Sequence, residues 1–245
     1  AEKDFNYTIT TIFSKSGGAA KTAIDPKFDD SKWRQLNLPH DWAVELPFIY
    51  KDNFDVMAHG YKPVGGLFPE TSIGWYRKHF TVAKADSGQR FQIQFDGIFR
   101  DANIWLNGVY LGNNKSGYVG VTYDITDYIN FEKDNVLAVR ADATQYEGWF
   151  YEGAGIYRHV WLNKYDNIHI ETDGVFVHSA IVSNKAVVNV ETVVKNQSPS
   201  TSDCIVSAFL TDRSGKVVAV SKEQKLLIPV NKQAIAVNNI SLVNF

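Results

Sequence analysis

The 245-residue chain contains a single cysteine, Cys204, and a single methionine. An internal disulfide and a thiolate metal cage are both excluded by that count. Cys204 lies in the strand-like run DCIVSAFL, where a buried, inert thiol is the expectation. No apolar run reaches the roughly 18 residues that a membrane-spanning helix needs. The opening AEKDFNYT has neither the basic stretch nor the apolar core of a signal peptide, which suits a cytosolic chain or a mature one whose signal has been removed. Charge of one sign is also missing. With 25 Lys and Arg against 27 Asp and Glu, the net charge is −2, which argues against a nucleic-acid binder with a basic face. Low-complexity tracts are absent, so disorder is a poor reading. There is no G-x-S-x-G, no phosphate-cradling glycine loop and no H-E-x-x-H. The six histidines, at 40, 59, 79, 159, 169 and 178, have no ligand spacing, so neither a metal nor a cofactor is expected.

Aromatic residues are abundant: six Trp, 12 Tyr and 15 Phe. They suit stacking on sugar C–H faces, and they equally suit the core of a large β-sandwich. Strand signals dominate the order of the chain. RFQIQFDGI alternates, with Phe91, Ile93 and Phe95 on one side and Gln92 and Gln94 on the other, as a half-solvated antiparallel strand does. Asn107-Gly108, between IWL and VYL, supplies the two positive-φ residues of a type I′ hairpin turn. DITDYINFEKDN has room for one helical turn, with Asp124 and Thr126 as caps. Residues 34–75, broken by Pro39, Pro47, Pro63, Pro69 and Gly65-Gly66, read as a long loop. Its aromatics Trp42, Phe48, Tyr50, Phe54 and Tyr61 are too many to leave in solvent and are expected to face a neighbouring domain. Short strands punctuated every 8–12 residues mean an all-β sandwich or barrel. A boundary is expected near Asp166. It gives one domain over 1–165 and, over 166–245, a simpler alternating set of strands that suits an immunoglobulin-like sandwich, shorter than usual and therefore read as truncated.

Candidate chemistry is sparse. Glu147 and Glu152, in YEGWFYEGAGIYR, are the best candidate pair by proximity, and a glycosidase needs two facing carboxyl groups, but five residues of spacing is weak evidence for one. His40-Asp41, in LPHDW, reads either as an oriented general base or as a loop histidine held by local hydrogen bonds. No self-contained active site emerges from the residues.

Six segments in register change the reading: LNLPHDWAVE, GWYRKHF, FDGIFRDANIWLNGVYLG, SGYVGVTYDITDYI, NVLAVRADATQ and EGWFYEGAGIYRHVWL. Together, over residues 30–165, they resemble the amino-terminal domain of family 2 glycoside hydrolases, most of all the β-galactosidase-type members. The segment from 166 onward resembles that family's second, immunoglobulin-like domain more loosely. The resemblance implies a jelly-roll, galactose-binding-like sandwich, then a partial immunoglobulin-like sandwich. A (β/α)8 barrel beyond Phe245 would hold both catalytic glutamates. This chain would then be a non-catalytic front end of a retaining enzyme, scaffolding it and shaping one rim of its active site. The alternatives are an autonomous carbohydrate-binding module and a structural β-sandwich of an adhesin. The expected partners are a β-galactoside or related glycan and the barrel, with homo-oligomers allowed and neither nucleic acid nor membrane involved. A periplasmic or secreted bacterial location with the signal removed is favoured over the cytoplasm. In the family, the loop before the GxGIYR strand reaches toward the sugar pocket. Carried over, that loop is Tyr146–Glu152, where Trp149 and Tyr151 offer a stacking wall and Glu152 an acceptor for sugar hydroxyls. The competing reading is that the two aromatics seal a seam between domains. Gly153, Gly155 and Arg158 are expected to serve the fold, the arginine by pairing with a carboxylate or carbonyl, and Trp75 and Trp105 to lie in the core.

Overall fold

The computed structural model describes residues 6–10, 23–45, 48–50, 67–69, 73–144, 153–182 and 184–243. The chain divides into two compact units, Ala1–Lys164 and Tyr165–Phe245. The strands of the first are β1 (Asn6–Thr10), β2 (Arg34–Asn37), β3 (Phe48–Tyr50), β4 (Leu67–Pro69), β5 (Ile73–Thr81), β6 (Arg90–Phe95), β7 (Ala102–Leu106), β8 (Val109–Asn114), β9 (Val121–Asp124), β10 (Asp134–Asp142) and β11 (Val160–Tyr165). Among the described residues the helical segments are single 3-10 turns such as Trp42–Glu45 and Thr126–Tyr128. The second of these falls on DITDYI, with the Asp124 side chain accepting the Thr126 N–H at 3.0 Å.

A six-stranded sheet, β2-β1-β5-β10-β7-β8, packs on a three-stranded sheet, β11-β6-β9. The core between them takes Phe91, Ile93 and Phe95 from one sheet and Ile104, Leu106, Leu137 and Val139 from the other. On β6 the burial alternates as its sequence alternates. The β7–β8 hairpin closes on Asn107 (φ 53) and Gly108 (φ 83), the two positive angles of a type I′ turn. Asn107 is also wired beneath the turn: its amide donates to Asn135 Oδ1 (2.9 Å) and Tyr128 O (2.7 Å) and accepts from Val136 N (2.9 Å).

Strand β5, IGWYRKHFT, is buried on both faces over its first half. Tyr76 points into the main core. Trp75 and Arg77 lie under residues 23–33, where Trp75 packs with Ala23, Trp33 and Trp105. Arg77 is 1% exposed. It donates to Asp30 (2.8 Å) and to the carbonyls of Ala23, Asp25 and Pro26, so its charge is matched and its fork filled.

The region 34–75, expected to lack regular elements, contains β2 and the antiparallel pair β3–β4. Trp42, expected to face another domain, is instead 1% exposed within the core of the first unit. Phe48 and Tyr50 lie in β3, while Phe54 and Tyr61 fall outside the described residues.

The second unit carries β12 (Ile168–Val182), β13 (Lys185–Asn196), β14 (Ser202–Val206), β15 (Phe209–Thr211), β16 (Val217–Val220), β17 (Gln224–Ile228) and β18 (Lys232–Val243). They form a sheet β12-β13-β18 and the pairs β14-β17 and β15-β16. Its core holds Val190, Val194, Ile228, Ala236 and Ile240. Buried Asn196 fixes the β13 end by donating to Ile228 O (2.8 Å) and Ser200 O (2.9 Å). Cys204 is half-buried rather than fully buried, and burial pushes its thiol pKa up, toward the unreactive protonated form. The whole is all-β: a jelly-roll sandwich followed by an immunoglobulin-like one.

Candidate functional site

The segment singled out by its sequence, Tyr146–Glu152, lies outside the described residues, and with it Trp149, Tyr151, Glu152 and Glu147. Its two flanks are described, and both are tied down. On the amino-terminal side, Asp142 ends β10, and its carboxylate accepts from Thr144 N (3.1 Å), Thr144 Oγ1 (2.6 Å) and Arg140 (2.9 Å). Burial would raise the Asp142 pKa, but these donors outweigh it and hold the carboxyl below its ordinary value.

On the carboxy-terminal side, Gly153–Ile156 is threaded between two loops. Main-chain bonds run from His40 N to Ile156 O (2.8 Å) and from Trp42 N to Ala154 O (2.9 Å), while Phe99 and Gly155 exchange a pair at 2.8 and 2.7 Å. Asp41 Oδ1 accepts from Ala154 N (2.8 Å) and Ala43 N (2.9 Å). Gly155 is required here, and at Gly153 a side chain would displace the Asp41 carboxylate. A Cβ on Gly153 would sit 2.5 Å from Asp41 Oδ2, and one on Gly155 (φ +113) would meet the Tyr76 hydroxyl and the Trp42 ring. Arg158, expected to find a carboxylate or carbonyl, is exposed and places its guanidinium 6.0 Å from the centroid of the Tyr157 ring.

Tyr76 is the hub, and the sequence reading did not single it out. Its hydroxyl accepts the Ile156 N–H (3.1 Å) and lies 3.1 Å from His40 Nδ1. Nε2 of the same ring is 3.1 Å from Glu45 Oε1. Arg34 grips Glu45 through two bonds of 2.6 Å, and these bonds are the main reason its pKa is lowered to about 2. An ionised Glu45 only accepts, so His40 Nε2 carries the proton and Nδ1 accepts the Tyr76 O–H. Burial keeps the Tyr76 phenol protonated. Burial also pushes the His40 pKa below its ordinary value, against the opposing pull of Glu45. The chain Arg34–Glu45–His40–Tyr76–Ile156 therefore has one consistent assignment of protons. Both His40 nitrogens are engaged, which supports the held-ring reading of LPHDW over the general-base reading. The carboxylates of this frame (Asp41, Glu45 and Asp142) each accept from two or more nearby donors, and that suits anchoring better than proton transfer.

The relatives of the chain agree with its sequence and its fold. Residues 20–166 match the sugar-binding domain of glycosyl hydrolases family 2. A β-galactosidase of Bacteroides ovatus is 41% identical over 207 residues, which is 84% of this chain and 23% of that protein. A β-glucuronidase of Formosa agariphila is 29% identical over 241 residues, 89% of this chain and 24% of that protein. Among solved structures, a family 2 glycosyl hydrolase from Bacteroides cellulosilyticus superposes with a TM-score of 0.83 at 31% identity, over 99% of this chain and 31% of that one. The chain spans about a quarter of the length of the curated relatives it matches. The matched domain takes in more than half of the chain, which therefore belongs to glycosyl hydrolase family 2.

Proposed function

We propose that this chain is the non-catalytic amino-terminal part of a retaining, β-galactosidase-type glycosidase. In that enzyme it scaffolds the catalytic barrel and shapes one rim of the active site. The observation that carries the reading is the 41% identity to a β-galactosidase of which the chain spans less than a quarter. The anchored frame on either side of residues 145–152 supports it. The substrate is then a β-galactoside or related glycan. Trp149 and Tyr151 stack on a sugar ring, and Glu152 accepts from its hydroxyls. The domains run from 1 to 165 and from 166 to 245, the location is periplasmic or secreted, and the enzyme is free to form homo-oligomers.

A second reading, β-glucuronidase, is favoured by the 29% identity to the Formosa agariphila enzyme. The two are separated by assaying the complete protein that carries this chain on nitrophenyl β-galactoside and nitrophenyl β-glucuronide. A clear preference for the galactoside is expected, and a preference for the glucuronide would replace the first reading with the second. In the same protein, Trp149→Ala should raise KM and lower kcat/KM roughly 10- to 100-fold, the scale of one lost aromatic stacking contact. Unchanged kinetics with lowered thermal stability would assign Trp149 to a domain seam.

A further inference from the structure

The solvent face of the three-stranded sheet carries a second organised cluster. On β6, the side chains opposite buried Phe91, Ile93 and Phe95 are Gln92, Gln94 and, just beyond the strand, Asp96. Strand β11 runs alongside and presents Trp161 and Asn163. These side chains form a continuous ladder. Asn163 Nδ2 donates to Gln94 Oε1 (3.0 Å), Gln94 Nε2 donates to Asp96 Oδ1 (2.9 Å), and Trp161 Nε1 donates to Asp96 Oδ2 (2.8 Å). His159 packs against the indole with ring centroids 5.4 Å apart and planes 32° apart. The main chain locks the corner through Asp96 N to His159 O at 3.0 Å.

The indole is therefore held at its N–H edge and by a neighbouring ring, yet Trp161 remains 40% exposed. A wired, oriented and solvent-facing indole is more than a solvated sheet face requires. Beside it, the amides of Asn163 and Gln94 and the carboxylate of Asp96 each retain bonding capacity: an amide has two N–H and two acceptor sites, and each carboxylate oxygen accepts more than one donor. Paired donors and acceptors next to an apolar ring match the edge and face of a pyranose. The only charge in the ladder is the negative one on Asp96, so an anionic ligand is disfavoured.

We propose that the Asn163–Gln94–Asp96–Trp161 ladder is a binding site for a neutral oligosaccharide, with one sugar ring stacked on Trp161 and its hydroxyls bridging Asp96, Gln94 and Asn163. The site goes beyond the glycosidase reading and does not depend on it, because it is tested by binding rather than by turnover.

The test titrates the 245-residue chain with β-1,4-galactotetraose, cellotetraose and xylotetraose, followed by calorimetry and tryptophan fluorescence. At least one neutral tetrasaccharide should bind saturably. Trp161→Ala should weaken that binding by about tenfold or more, the scale of one lost stacking contact. Trp161→Tyr, which keeps a ring but loses the bond to Asp96, should weaken it less, and Asn163→Ala by a few-fold. Thermal unfolding of each variant verifies the fold, and Asn163→Ala decides if Trp161→Ala does not fold. Absence of saturable binding by all three sugars, or binding undiminished in the folded variants, overturns the proposal. So does tighter binding of a glucuronate tetramer titrated in the same way.

Discussion

Tyr76→Phe removes one oxygen atom from the centre of the frame and leaves the aromatic ring in place. The ring is fully buried and packs on Trp42 with centroids 6.0 Å apart, so no cavity larger than a hydroxyl opens. Two groups lose their partner: the Ile156 N–H, bonded at 3.1 Å, and His40 Nδ1, also at 3.1 Å. A buried polar group left unsatisfied costs about 1–3 kcal/mol, and His40, only partly buried, counts at the low end, so the substitution should cost roughly 2–4 kcal/mol. For a unit of this size, 1 kcal/mol moves Tm by about 2–4 °C, so a fall of roughly 5–15 °C is expected. Urea and thermal denaturation followed by near-UV circular dichroism measure it. Gly155→Ala supplies the second arm of a double-mutant cycle, since its Cβ would collide with the same hydroxyl. In the Tyr76→Phe background part of that collision is gone, while the strain of φ +113 remains, so the two costs should sum to more than the double variant shows. A loss below about 0.5 kcal/mol for Tyr76→Phe, within the range of an ordinary surface substitution, would refute the hub.

The His40 ring should give stability a pH limb. Its folded pKa is depressed, so the unfolded chain takes up the proton first. Stability is then complete above about pH 6.5, the unperturbed histidine value, and is lost as pH falls through the lowered folded value. His40→Gln should flatten that limb when urea denaturation at pH 7.5 and pH 5 is compared, and an unaltered difference contradicts the assignment. Arg77→Lys keeps the charge but not the fork that serves Asp30 and three carbonyls. It should cost about 1–3 kcal/mol in chemical denaturation, and a neutral outcome would mean the fork is dispensable. Asn107→Gly keeps the positive φ but deletes three amide bonds, so it should destabilise by about 1–3 kcal/mol, whereas a turn-only role would leave stability level.

What was legible in the sequence was whatever depended on neighbours along the chain. Alternation in RFQIQF placed Phe91, Ile93 and Phe95 inward because a strand's two faces repeat every second residue. Asn107-Gly108 announced its turn because few other residues accept two successive positive φ angles. Six segments in order identified the family when no single one did. Tyr76 does not stand out in the sequence because β5 is buried on both faces, and its outer cover comes from residues 23–33, which no periodicity within GWYRKHF reveals. Trp42 reads as facing a neighbouring domain for a related reason. The prolines around it read as open loop, while the partners that bury it (Tyr76 and Ala154–Gly155) come from more than thirty residues away. The oxygen pairs of Asp41 and Asp96 could not be read as anchors either, because their donors at Ala154 and Trp161 are distant in sequence.

On the reading proposed above, this chain supports glycoside hydrolysis without performing it. The most direct measurement is turnover of nitrophenyl β-galactoside by residues 1–245 alone, set beside the complete protein that carries them at equal molar concentration. The account predicts hydrolysis by the complete protein and none above background by the chain alone. Hydrolysis by the chain alone that disappears in Glu152→Gln, or no hydrolysis of any β-glycoside by the complete protein, would contradict it.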